Sequence, residues 1–453
     1  MSTTVLAPTP PAVKSRLSVM MFLQYAIWGA WLPLLWPFLA NVREMSGEQI
    51  GHMFAVGAVG AIVSPFIAGQ IADRYFNTEK FLGISHILGG VLVWQLATID
   101  SYSGFLAFSL LYSLIYSPTL SLTNSLAFHH LEDRDRDFGK VRVWGTVGWI
   151  VVGISIGQWL LYSHTPATGT EAEIAMAQYE GMADAFRLSA LLGIVMGVFC
   201  FTLPATPPSP SEEKNAALEA IGEVKSQPLL TLFLLAVPVS CIHQFYFVHT
   251  AEFLGKFQSG AAVWLNSIFG VGGGGLMTIG QMSEILVLAV IPLIAKSVSR
   301  KSLLAVGLLA YGLRMLLFMN GEAWGTAAVM VGIALHGLCF GCFIFVAFMI
   351  VDEETTPDVR ASAQSLFNLV IIGIGIIVGS MIAGSVASWA SVVPVFSEAG
   401  APVLGDDGLP KMDIDYTRLF SVPMWASFAC LVALLFFYPH RSPRRGDSAA
   451  ELS

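Results

Sequence analysis

The sequence predicts an all-α integral membrane protein: twelve transmembrane helices in two bundles of six. Three observations carry this. The 453-residue chain is 55% hydrophobic and 12% charged, with a mean hydropathy of +0.69, whereas a soluble domain carries about 25% charged residues. Twelve apolar runs approach or exceed the roughly 20 residues that cross a bilayer. Lys and Arg also segregate. With both termini in the cytoplasm, 17 of the 23 fall on the inner side, five fall outside, and Arg314 stays within a span, as the positive-inside rule requires.

The elements follow in order. Residues 1–16, MSTTVLAPTPPAVKSR, read as a disordered N-terminal arm. The apolar run after it has 24 residues. That exceeds the roughly 7–15 residues of a signal-peptide core, so it is a retained first span. The twelve spans are 17–40, 50–72, 81–99, 104–127, 141–162, 187–203, 228–254, 275–295, 302–319, 325–351, 362–389 and 417–438. Pro118 is expected to kink the fourth. The Pro/Ser/Glu-rich stretch 204–227 reads as a solvated cytoplasmic linker with one surface helix. It separates an N-terminal bundle, 17–203, from a C-terminal bundle, 228–438, and residues 439–453 form a cytoplasmic tail. The loops ending at Arg142 and Arg360 echo each other 218 residues apart, as parallel six-helix repeats would.

All five cysteines fall in apolar segments, which argues against a disulfide framework. Cys339 and Cys342 form a lone C-x-x-C, read as helix packing rather than a metal or redox site. GVGGGG, Gly270–Gly275, lacks the strand and lysine of a phosphate loop and reads as a flexible lead into span eight. No basic patch points to nucleic acid, and no cofactor is implied.

Polar groups inside the spans are the functional suspects, because an intramembrane charge is costly. Glu284 is a carboxylate well inside span eight, and a proton carrier by type. Gln281 shares its face. Gln244 and Phe247 pair at i, i+3 in span seven, and His336 and Phe340 at i, i+4 in span ten. Together they suggest a polar, aromatic-lined cavity for a planar polar solute. Arg142, Thr146 and Trp149 share one face at the start of span five, either as an interfacial anchor or as part of a site. Arg314 reads as structural, pairing with an acid or snorkelling outward.

GQIADRY, Gly69–Tyr75, looks like the loop motif of the major facilitator superfamily, in which Gly69, Asp73 and Arg74 would form a cytoplasmic conformational gate. More widely, FLQYAIWGAWL (Phe22–Leu32), YSPTLSLTNSL, VRVWGTVGW, QMSE, ALHGLCF and VRASAQSLF (Val359–Phe367) resemble the bacterial nucleoside–proton symporters of that superfamily, over nearly all twelve spans. The resemblance implies the major facilitator fold, with a nucleoside held between the two halves. It implies substrate contacts from Arg142, Thr146 and Trp149, the last standing in for a phenylalanine. Gln244, Gln281 and Glu284 would contribute too, with His336, in place of a tyrosine, and Phe340. Two positions depart from the family: Phe247 replaces an asparagine and Gly341 an aspartate, which bears on substrate choice and coupling.

The reading is a multi-pass inner-membrane secondary transporter, not an enzyme, that takes up nucleosides with protons coupled at Glu284. Its partners are the nucleoside, the proton and the lipid bilayer, and a monomer suffices. The alternatives are a proton-coupled transporter of another small polar solute such as a sugar, or a non-transporting receptor. The 13-residue end RSPRRGDSAAELS is too short for a signalling domain.

Overall fold

The computed structural model describes residues 9–67, 75–207, 224–258, 260–294, 297–356, 360–396, 401–403 and 410–439. The expected gate residues Gly69, Asp73 and Arg74 lie outside the described residues, as do most of the linker and the C-terminal tail.

The chain is an all-α membrane protein. Among the described residues, ten helices are long and apolar enough to cross a membrane by length and composition. Helices Gly47–Ile67 and Thr78–Leu96 fall on the other two expected spans. The first helix begins at Pro11, inside the stretch expected to be disordered. Proline at the first helical turn is a start signal, because its missing N–H would be unpaired there anyway. The added turn is tied down by Lys14, whose Nζ lies 2.9 Å from Asp137, and by Arg16, which donates to the Thr202 carbonyl at 3.0 Å. Pro33 then interrupts the span as a 3₁₀ turn, Leu32–Leu34, before helix Leu35–Asn41.

Other departures are additions. Short helices Glu171–Gly181 and Ala261–Phe269 precede spans six and eight. The first starts with a capping box of Thr170 and Glu173, which satisfies two orphan N–H groups. A two-stranded antiparallel ribbon, Ser391–Pro394 with Met412–Ile414, follows span eleven. Spans ten and eleven each widen into a π-helix, at Phe340–Phe345 and Leu369–Gly375.

Contacts divide the chain into two units. One contains Met1–Met45, His52–Glu212 and Phe247–Gln281; the other contains Ser46–Gly51, Glu213–Tyr246 and Met282–Ser453. The second, seventh and eighth spans therefore each pass through both units.

In the first unit, glycine lets backbones meet, the usual device where lipid gives helices no hydrophobic reason to associate. A Cβ at Gly148 would run into the Phe22 carbonyl, so spans one and five touch through main chain. The Gly270 region corrects the expectation of a flexible segment. Gly270 holds φ 81°, ψ 177°, a region essentially reserved for glycine. The neighbouring Val271 N–H donates to the Gly157 carbonyl at 3.1 Å, and any Cβ at Gly270 would collide with the Gly157 backbone. Gly325 offers a control, with φ 79°, ψ 177° and open space around it. Gly325→Ala is expected to carry backbone strain alone, about 1–3 kcal/mol, whereas Gly270→Ala adds a backbone collision. Melting of the detergent-purified variants should therefore show the larger fall for Gly270→Ala.

In the second unit, spans nine and twelve are joined by Ser427, which donates to the Leu308 carbonyl at 2.7 Å. Lys301 donates to the carbonyls of Leu435 and Tyr438 at 2.8 and 2.7 Å. A cation is thus paired with the orphan carbonyls that end the last helix. Span seven meets span eleven where Ser240 donates to the Ile371 carbonyl at 2.6 Å.

Candidate functional site

In the first unit, helix Arg134–Ser163 carries Arg142, Thr146 and Trp149. Arg142 places its guanidinium 4.1 Å from the centroid of Tyr25, a cation–π contact that fixes a long side chain. Thr146 is half-buried on the same face. Trp149 is buried and meets Trp28 and Phe247 edge-on, with centroids 6.1 and 6.4 Å away. Its ring lies against Gly29, where a Cβ would approach Trp149 Cδ2 to 2.9 Å. Beneath this aromatic group, Gln24 is fully buried and held three ways. Its Nε2 donates to Thr119 Oγ1 at 2.9 Å, its Oε1 accepts from His86 Nε2 at 2.9 Å, and its carbonyl accepts from the Tyr116 hydroxyl. Because the amide nitrogen already donates to Thr119, the oxygen must face His86, which makes Nε2 the protonated ring nitrogen. Gln281 lies in this unit too. It is 5% exposed, and its Oε1 meets no donor among the described residues. A buried acceptor without a donor costs free energy and is available to a ligand N–H or O–H.

In the second unit, Glu284 and His336 come together. His336 Nε2 lies 3.5 Å from Glu284 Oε2, with the imidazole 1% exposed and the carboxylate 16%. The ring stacks with Tyr246, at 4.5 Å, and with His243, at 5.5 Å. Phe340 lies 6.3 Å from His243. Gln244 is buried beside Gly379 of span eleven. At the departure Gly341, a Cβ would press on Val287 at 2.6 Å, so the space of an aspartate side chain is taken up by span eight.

Arg314 corrects the snorkelling alternative. It is fully buried, donates from Nη1 to His336 Nδ1 at 3.0 Å, and lies over the rings of Tyr246 and Tyr311 at 4.5 and 5.2 Å. Sequence reasoning thus missed Tyr25, Trp28, His243, Tyr246 and Tyr311. Tyr25 and Trp28 are three residues apart on span one, and His243 adjoins Gln244. Each is a polar or aromatic group within an apolar run, but periodicity alone does not separate such residues from packing.

Each unit holds a buried polar and aromatic cluster inside its apolar helices, and the second adds an acid–histidine–arginine chain, an arrangement suited to a helical membrane transporter. The chain belongs to the nucleoside H⁺ symporter family, whose model matches residues 12–444. It is 33% identical to the putative nucleoside transporter YegT of Escherichia coli strain K12 over 82% of this chain and 83% of that one. It is 25% identical to the xanthosine permease of the same strain, over 94% and 96%. Its fold matches the crystal structure of the nucleoside transporter NupG with a TM-score of 0.77 and 22% identity, covering 94% of this chain and all of the other.

Proposed function

We propose that this protein imports nucleosides with protons by alternating access, Glu284 carrying the proton. The observation that supports the reading best is the Glu284–His336 contact, an acid held against an imidazole inside spans eight and ten. A proton on Glu284 removes a charge from a low-dielectric interior, so the neutral carboxyl form suits rearrangement of the helices. The nucleoside is recognised by Arg142, Thr146 and Trp149 from span five, Gln244 and Phe247 from span seven, Gln281 and Glu284 from span eight, and His336 and Phe340 from span ten. Aromatic faces take the base, while amides and the carboxylate take its edges and the ribose hydroxyls. Gly69, Asp73 and Arg74 act as the cytoplasmic gate. Both termini lie in the cytoplasm and the protein works as a monomer in the inner membrane, an orientation supported by the 17-to-5 division of basic residues.

Proteoliposomes test the reading. Labelled uridine or adenosine should accumulate under an inward proton gradient. A protonophore should abolish accumulation, unlabelled nucleoside should compete, and sugars should not. Accumulation that ignores the protonophore would overturn proton coupling, and competition by sugars alone would move the substrate to that class.

A further inference from the structure

We infer that Arg314 is a positioning residue for proton coupling: it fixes His336 as a neutral donor to Glu284 and holds a permanent positive charge behind the proton-carrying acid. The inference rests on the reading of Glu284 as the carrier.

The geometry leaves little freedom. A guanidinium has only donors and stays charged, and its Nη1 is 3.0 Å from His336 Nδ1. That nitrogen must therefore offer a lone pair. The imidazole proton is then on Nε2, which faces Glu284 Oε2 at 3.5 Å. A second proton on Nδ1 would set a donor against a donor and break the Arg314 contact. The ring thus transmits the arginine's charge to the acid without carrying the proton itself.

The surroundings strengthen this. Arg314 has no exposure to solvent, and its Nε and Nη2 meet no acceptor among the described residues. A buried cation is expensive unless compensated. Two tyrosine faces and the acid beyond His336 are what compensate it here. Among the described residues, the titratable groups around the chain are His243 and Tyr246 of span seven, Glu284 of span eight, Tyr311 of span nine, and His336 and Cys339 of span ten. Of these, Tyr311 is engaged with His243 Nδ1 at 2.7 Å, Cys339 is a buried thiol, and Tyr246 and His243 present ring faces to His336. Glu284 is the one carboxylate among them.

The signs follow. With Arg314 present, the ionised carboxylate is favoured. Without it, the ionised acid loses the positive charge that faces it through the His336 ring, and an unpaired intramembrane charge is costly. The test is the pH dependence of nucleoside uptake into proteoliposomes for the unaltered protein, R314Q, R314K and H336Q. R314Q should move the half-maximal external pH upward and slow net uptake, since release of the proton inside is impeded. Exchange, which needs no proton release, should be retained. R314K, which keeps the charge, should stay close to the unaltered curve. H336Q keeps an N–H for Glu284 and an oxygen for Arg314 but cannot titrate; it weakens nucleoside binding as well, so its readout is the ratio of gradient-driven uptake to exchange, which should match that of the unaltered protein. An R314Q curve that superimposes on the unaltered one overturns the inference. So does loss of gradient-driven uptake with intact exchange in H336Q, which would put the proton on the histidine. If R314Q fails to insert, R314K and H336Q still decide. Absence of proton-driven uptake in the unaltered protein would instead sink the reading of function itself.

Discussion

Glu284→Gln is expected to remove concentrative uptake while leaving nucleoside exchange intact. Each tenfold concentration ratio corresponds to about 1.4 kcal/mol. At one proton per nucleoside, a gradient of about two pH units therefore sustains about 100-fold accumulation. Glutamine keeps the size and hydrogen-bonding edge of the acid next to His336 but takes no proton in the physiological range. The internal-to-external ratio should fall to one under the same gradient, while counterflow of labelled against unlabelled nucleoside continues. Counterflow needs binding and helix rearrangement but no net proton movement. Both quantities can be read from one preparation. Retained accumulation would show that the proton rides elsewhere.

Trp149→Ala should weaken nucleoside binding more than any other change on span five. Stacking of a base on an aromatic side chain is worth about 1–3 kcal/mol, so the dissociation constant should rise by about 5- to 150-fold, and Trp149→Phe should restore most of the affinity. The ring's placement gives a second handle. Trp149 lies on Gly29, so Gly29→Ala leaves every substrate-facing group chemically unchanged yet pushes the indole aside. A rise in the dissociation constant in Gly29→Ala, with melting close to the unaltered protein, would show that ring position is what the nucleoside reads. Calorimetric titration with uridine and adenosine measures both variants. An unchanged constant in Trp149→Ala would remove this residue from the site.

Much of this was legible in the sequence because the bilayer imposes length and polarity on every spanning helix. The spans could be placed for that reason, and Glu284 and His336 stood out as polar groups in apolar runs. Arg314 stood out equally, but its neighbours did not. Which neighbour satisfies a buried charge depends on packing between spans nine, seven and ten, and spacing within one span is silent about that. The Gly270 turn failed for a related reason. A run of glycines signals conformational freedom of the unfolded chain, and only the approach of Gly157 turns that freedom into a fixed bend. The helix Ala261–Phe269 and the ribbon Ser391–Pro394 with Met412–Ile414 are too short for the spanning-length rule to reveal them.

The widened turns at Phe340–Phe345 and Leu369–Gly375 have a consequence for how this chain's relatives should be compared. An α-helix advances about 100° per residue, and a π-turn accommodates one extra residue in the same stretch of ladder. Side chains beyond Phe345 in span ten, and beyond Gly375 in span eleven, are therefore out of phase by about 100° with a wheel drawn from the start of the same span. A relative that lacks one residue there would keep both faces of its helix by closing the wide turn, not by rotating the rest. Single-residue gaps in these two stretches mark a change of helical frame, and the positions on either side of them must be read on separate wheels.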